Sequence, residues 1–240
     1  MIKDEVAKLV KNIVTENAAD MEEKREIPPD AVRKAWELGA SVSMVPEKMG
    51  GFGLEDSPIT TAIILEELAY GDLSFAVLAT LPSLIISPLI NMGTESQKSK
   101  YLPLFCEEKF NPCTLAINEP HFGFEPENLK TVVEEKNGSY QLNGSKCFVP
   151  MAAQASHILV AASLEGTGNL FIIAKDNPGM KISELEENTG LRSLPTYEIT
   201  FENCEIPFED RLGETSGRDY EMFLQKTRIG MSAVGTGVSR

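Results

Sequence analysis

The sequence predicts an α+β chain: helices over its first 110 residues, an antiparallel sheet or barrel in the middle, and a helix at the end. Three observations carry this. Apolar residues recur at helical spacing through the first part. From Thr131 to Phe201 the period shortens to brief apolar runs with no helix between them, which favours antiparallel pairing over βαβ units. From about Asp219 the helical period returns.

Taken in order, Lys3 to Ala18 spaces Val6, Leu9, Val10, Ile13 and Val14 along one helical face. Pro28-Pro29-Asp30 opens a second helix carrying Val32, Trp36 and Leu38, which Gly39 closes. Ser41 to Leu54, dense in Pro and Gly, is a loop. A long helix starts near Ser57, is interrupted at Gly71-Asp72-Leu73-Ser74, and resumes from Phe75 to Leu81. Thr94 with Gln97 three residues later has the spacing of a capping box and starts a short helix ending near Glu107. Thr131 to Glu135, Ser139 to Leu142 and Lys146 to Val149 are short strands, split by the hairpin dipeptides Asn137-Gly138 and Asn143-Gly144. His157 to Ala162, Leu170 to Ala174 and Glu198 to Phe201 continue the pattern. The last helix carries Met222, Phe223, Ile229, Met231, Val234 and Val238, with Gly230, Gly235 and Gly237 placed for close approach of another backbone.

The 240 residues are 42% hydrophobic and 24% charged, the composition of a globular protein with a sizeable core. A formal net charge of -14 excludes a nucleic-acid surface, which needs clustered Lys and Arg. Cys106, Cys113, Cys147 and Cys204 show no metal-ligand spacing, and with only His121 and His157 present no metal site is expected. Pro82 and Pro88 break the most apolar stretch, Phe75 to Ile90, so no membrane span is expected. The N-terminus lacks the basic start and apolar core of a signal peptide, so the cytoplasm is the expected location.

In the same order, several strings resemble the acyl-CoA dehydrogenase family over nearly the whole chain. They are Val45-Pro46-Glu47 with Gly50 to Leu54, Glu66 to Ala69, Gly93 to Lys98, Lys100 to Pro103, Ala116 to Pro120 with Gly123, Leu142 to Lys146, Asn203 to Pro207, and Lys226-Thr227-Arg228. The resemblance implies an N-terminal helical domain over residues 1–110 and an antiparallel β-barrel-like middle domain over 111–212. Residues 213–240 would then be the first helix of an incomplete C-terminal helical bundle. It further implies FAD as cofactor, an acyl-CoA substrate, electron-transfer flavoprotein or a similar acceptor as redox partner, and a homo- or hetero-oligomer. FAD in this family needs no G-x-G-x-x-G, and none is present.

Dehydrogenation beside a thioester carbonyl needs a carboxylate base, donors on the thioester oxygen and a flavin facing the β-carbon. The resemblance places flavin contacts at Leu115, Ala116, Ile117, Asn118, Gly123, Phe124, Phe148, Val149 and Pro150, and acyl-CoA contacts at Phe124, Gln225, Lys226, Thr227 and Arg228. Arg192 and Thr196 match further positions near the cofactor. No catalytic base is expected within this chain: Thr227 occupies the position where a minority of the family carries it. Asn118 stands where the family usually has Thr, Phe124 where it has Ser, Phe148 where it has Trp and Pro150 where it has Thr. Proline offers neither N–H nor hydroxyl. A flavin-deficient, redox-inactive scaffold or regulatory subunit of the same family is therefore the alternative reading. Glu119 is expected to fix its loop, and His121 to face solvent.

Overall fold

The computed structural model describes residues 2–39, 41–54, 56–107, 110–213 and 217–240. Helix α1 (Ile2–Leu9), a π-helical stretch (Val10–Val14) and α2 (Thr15–Lys24) follow one another directly, so the first helix runs past Ala18. Proline at the first turn starts α3 (Pro29–Glu37), where its missing N–H has no partner to lose. Ser57 caps α4 (Pro58–Gly71) by accepting from Thr60 N at 3.3 Å. The chain then breaks where Asp72 caps α5 (Leu73–Thr80), accepting from Phe75 N at 2.7 Å. After α6 (Ser83–Met92), both bonds of the capping box at Thr94 are made: Gln97 N donates to Thr94 Oγ1 at 3.2 Å, and Thr94 N to Gln97 Oε1 at 3.0 Å. They start α7 (Glu95–Tyr101), which tightens into a 3₁₀ turn over Leu102–Phe105 and so ends before Glu107.

By length and composition Leu73–Met92 is apolar enough to cross a membrane, contrary to the expectation from its prolines. Pro82 lies at the break between α5 and α6 but leaves the segment as a whole apolar enough. In this fold the segment is the centre of the helical layer, with Phe75, Leu81, Ile86 and Leu89 fully buried.

Among the described residues seven strands follow: β1 (Cys113–Ala116), β2 (Val132–Lys136), β3 (Ser139–Pro150), β4 (His157–Leu164), β5 (Thr167–Ala174), β6 (Met180–Leu185) and β7 (Thr196–Ile206). Their order is β1-β4-β2-β3-β7-β6, with β5 on the other edge of β4. The sheet is mixed, which corrects the antiparallel expectation. Both β1 and β2 run parallel to β4, in registers Cys113↔His157 to Ala116↔Val160 and Val132↔Ser163 to Val133↔Leu164. Parallel partners are joined by long crossovers and leave no turn signature, whereas hairpins announce themselves. The Asn137-Gly138 turn does join β2 to β3, with φ of 54° and 86°. Asn143-Gly144 is not a turn. It lies inside β3 at a register shift, and a Cβ on Gly144 would sit 2.7 Å from Thr131 Cα. The exposed edge strand β6 was not foreseen, because little of it is buried.

Alternation along β4 divides the core. Leu159 and Ala161 join Leu115, Leu170 and Ile172 against Ile85, Ile86 and Phe105 of the helical layer. Ile158, Val160 and Ala162 face the other way with Phe171, Ile173 and Phe201. Burial on both faces explains the unbroken apolar run of β4, each large side chain contributing about 1.5–3 kcal/mol. The last helix, α8 (Gly217–Ser239), crosses α4. A Cβ on Gly237 would fall 2.3 Å from Glu66 O, so glycine is required at that crossing, while Gly235 has nothing within 4 Å. Of the family-expected barrel and bundle, the described residues show a curled mixed sheet and this one helix.

Candidate functional site

A cleft of about 510 Å³ opens where the ends of β1 and β3 meet α4, α5, α6 and α8. Its size suits a substantial organic ligand. From the sheet side it is lined by Leu115, Ile117, Asn118, Phe124, Phe148 and Pro150, and from α8 by Lys226, Thr227 and Arg228. Residues expected on two different ligands, and separated by some eighty positions, thus share one wall. Ala116 and Val149 point away into the sheet core, where both are buried. Gln225 is exposed and not among the described lining residues, and neither is Gly123. Arg192 and Thr196 also lie off the cleft. Arg192 pairs through Nε with Glu22 Oε1 at 3.0 Å, and Thr196 accepts from Asn188 at 2.8 Å.

The cleft wall depends on a loop strapped to β3. Lys146, fully buried, donates to Glu119 Oε1 at 2.8 Å and to Ile117 O at 3.1 Å. Cys147 N donates to Asn118 O at 3.0 Å. Glu119 also accepts from Lys130 N at 2.7 Å, Thr131 N at 2.8 Å and His121 Nε2 at 3.1 Å. Burial pushes the Glu119 carboxyl up, but Lys146 and the two backbone N–H groups outweigh it and hold its pKa down at about 2. Glu119 therefore ties both ends of the 119–131 loop together, and His121 lies against it on the exposed side. Lys146 is the residue that sequence reasoning missed. A lone lysine in a strand signals a solvated face, and only the fold shows it pointing inward.

Phe148 owes its position to a β-bulge. The pairing of β3 with β7 shifts between Lys146 and Val149, and Phe148 adopts φ 52°, an uncommon conformation for a large side chain. Its N–H donates to Glu186 Oε1 at 3.3 Å, and its ring is 56% exposed in the cleft. Such strain persists where the surroundings impose it, and it marks candidate ligand contacts. Phe124 stands half-buried nearby, edge-on to His121 with ring centroids 6.0 Å apart.

Among the described residues, two ion pairs attach α8 to its surroundings. Lys226 Nζ meets Asp56 Oδ2 at 2.6 Å, and Asp56 also accepts from Asn91 Nδ2 at 2.7 Å and Ser87 Oγ at 3.1 Å. Burial raises the Asp56 pKa, yet these donors bring it below the ordinary carboxylate value. Arg228 pairs with Glu127 on the exposed side. Thr227 Oγ1 donates back to Phe223 O at 2.9 Å. Asp56 is the one carboxylate among the described residues lining the cleft.

Comparison with known proteins agrees with this architecture. The acyl-CoA dehydrogenase N-terminal domain matches residues 1–109, and the acyl-CoA dehydrogenase middle domain matches residues 114–204. A probable medium-chain specific acyl-CoA dehydrogenase 2, mitochondrial, from Caenorhabditis briggsae is 31% identical over 243 residues, covering 97% of this chain and 59% of that protein. The short-chain specific acyl-CoA dehydrogenase, mitochondrial, of Rattus norvegicus is 29% identical over 232 residues, covering 93% and 55%. A glutaryl-coenzyme A dehydrogenase solved as its glutaryl-CoA complex superposes with a TM-score of 0.87 at 28% identity, covering 99% of this chain and 62% of that one. The chain thus spans less than two thirds of the length of these relatives. With both domain signatures in sequence order over almost all of residues 1–204, the chain belongs to the acyl-CoA dehydrogenase family.

Proposed function

We propose that this chain forms the cofactor and thioester cleft of an FAD-dependent enzyme that introduces an α,β double bond into an acyl-CoA thioester. One observation carries the reading: the sheet residues Asn118, Phe124, Phe148 and Pro150 and the α8 residues Lys226, Thr227 and Arg228 line a single, mostly apolar cleft.

The residues present fit a flavin. The Phe148 ring offers an apolar surface against which a ring system can lie, and the Asn118 side-chain amide, exposed and unbonded among the described residues, offers a donor and an acceptor. Pro150 offers no donor, so Asn118 carries more of the polar recognition here than a pair of hydroxyl-bearing residues would require. FAD, when bound, supplies the acceptor for the β-hydride. Against it the apolar wall excludes water, and Lys226 and Arg228, neutralised by Asp56 and Glu127, would offer N–H donors to a thioester and its carrier.

The base that takes the α-proton comes from outside this chain segment. Asp56 is already bonded to three donors and lies below its ordinary pKa, which suits structure rather than proton abstraction. Thr227 is committed to a backbone carbonyl. A downstream helical bundle, or a partner subunit, would bring a carboxylate to the cleft and cover Ile229, Met231 and Val238, which α8 leaves exposed. Electrons would pass to electron-transfer flavoprotein or a similar acceptor, from a homo- or hetero-oligomer.

Phe124 and Pro150 favour a second reading, a redox-inactive family scaffold without flavin. Purification decides between the two. Protein that takes up FAD to near one per chain supports catalysis, whereas protein that stays colourless after incubation with FAD supports the scaffold.

A further inference from the structure

The cleft is mostly apolar, and besides the polar Asn118 and the charged Arg228 its charged feature is one corner where elements from three parts of the chain converge on a single carboxylate. Asp56 comes from the segment before α4, Ser87 and Asn91 from α6, and Lys226 from α8. The corner is sheltered: the Asp56 side chain is 13% exposed and that of Lys226 31%. A charged cluster in an apolar cleft is costly to desolvate unless its hydrogen-bonding capacity is used.

The donors are unequally used. Asn91 Nδ2 is occupied by Asp56, Ser87 O and Ser87 Oγ. The hydroxyls of Thr80, Ser83 and Thr227, also on the wall, donate to backbone carbonyls of their own helices or turns. Lys226 has three N–H donors and gives one, to Asp56, among the described residues. Asp56 fixes the ammonium in place and balances its charge, and the other two donors have no partner among the described residues on a side chain that lines the cleft. Solvent would satisfy them in an open cleft, since the Lys226 side chain is 31% exposed. A purely hydrocarbon ligand that displaced this water would leave both unpaired, at the cost of a buried charged donor.

We propose that Lys226, positioned by Asp56, hydrogen-bonds an oxygen acceptor of the bound thioester, so that this corner selects ligands with a carbonyl or hydroxyl oxygen there over plain hydrocarbon. This rests on the reading of the cleft as a thioester site. The same acceptor chemistry has two sources: a hydroxyl or oxo group on the acyl chain, or a carbonyl common to all acyl-CoA thioesters, that of the thioester or of the pantetheine arm.

Isothermal titration calorimetry of the intact protein with a straight-chain acyl-CoA and its ω-hydroxy counterpart separates them. The variants are Lys226→Met and the charge-neutral pair Asp56→Asn/Lys226→Met, which leaves no unpaired carboxylate behind. Loss of a bond to a charged donor is expected to weaken binding roughly tenfold or more. A loss confined to the ω-hydroxy thioester assigns the acceptor to the acyl chain, and an equal loss for both assigns it to a carbonyl the two ligands share. Unchanged affinity for both in both variants overturns the inference while leaving the thioester cleft standing. A wild-type protein that binds neither thioester overturns the cleft reading itself, and the inference with it.

Discussion

Removing Lys146 tests how the cleft wall is held. The Lys146→Met variant keeps the apolar stem of the side chain and deletes the ammonium, leaving Glu119 buried with its remaining three donors. Removing one partner of a buried ion pair costs about 3–5 kcal/mol. Because two backbone N–H groups still serve Glu119, the lower end applies. Burial lowers the Lys146 ammonium to about 8 even as the Glu119 carboxyl is held down at about 2, so the two shifts oppose one another and the cost of the variant is that of stranding Glu119. Urea unfolding followed by circular dichroism should therefore show Lys146→Met less stable by about 3 kcal/mol. The double variant Glu119→Gln/Lys146→Met should recover part of that loss, since an amide tolerates burial without a cation. A loss below about 1 kcal/mol in Lys146→Met, or a double variant equal to the sum of the singles, would refute a coupled buried pair.

Other consequences follow from the same coordinates. The folded Glu119 carboxyl lies below its unfolded value, so its contribution is complete above pH 4.5 and is lost as pH falls toward about 2; acid unfolding should flatten in that window for Glu119→Gln. Gly237→Ala should destabilise by more than about 1 kcal/mol, because its Cβ would collide with Glu66 O, whereas Gly235→Ala should be neutral or stabilising by up to about 1 kcal/mol; thermal unfolding of the two checks both. Phe148→Gly should relieve the left-handed backbone and leave stability unchanged or higher by about 1 kcal/mol, yet weaken FAD binding in a fluorescence titration. Gln97→Ala should cost about 2 kcal/mol in chemical denaturation, because the amide donates to Glu209 O at 2.8 Å and Arg211 O at 2.6 Å and so ties α7 to the chain leaving β7.

Local signals in the sequence carried most of the fold. Ser57, Asp72 and Thr94 cap helices where their side chains and neighbours say they should, and Asn137-Gly138 turns the chain where its left-handed backbone is cheap. What the sequence hid was non-local. The parallel pairing of β1 and β2 with β4 joins strands with no turn between them, and Asn143-Gly144 carries a hairpin dipeptide inside a strand because Thr131 packs against Gly144. The site was half legible. Asn118, Phe148 and Lys226 to Arg228 were identifiable through the family resemblance, and they do share a wall. Asp56, Ser87, Asn91 and Lys146 were not, since each is an ordinary surface residue type until the fold gathers the first three at the cleft and buries Lys146. The backbone placement also separated Ala116 and Val149 from their neighbours, because alternate residues of a strand face opposite sides.

The central claim is that one cleft receives both a flavin and a thioester, and the flavin absorbance spectrum reports on it directly. Adding an acyl-CoA to FAD-loaded protein should perturb that spectrum saturably, since the two ligands would lie against each other between Phe148 and α8. Saturable thioester binding that leaves the flavin spectrum untouched would contradict a shared cleft.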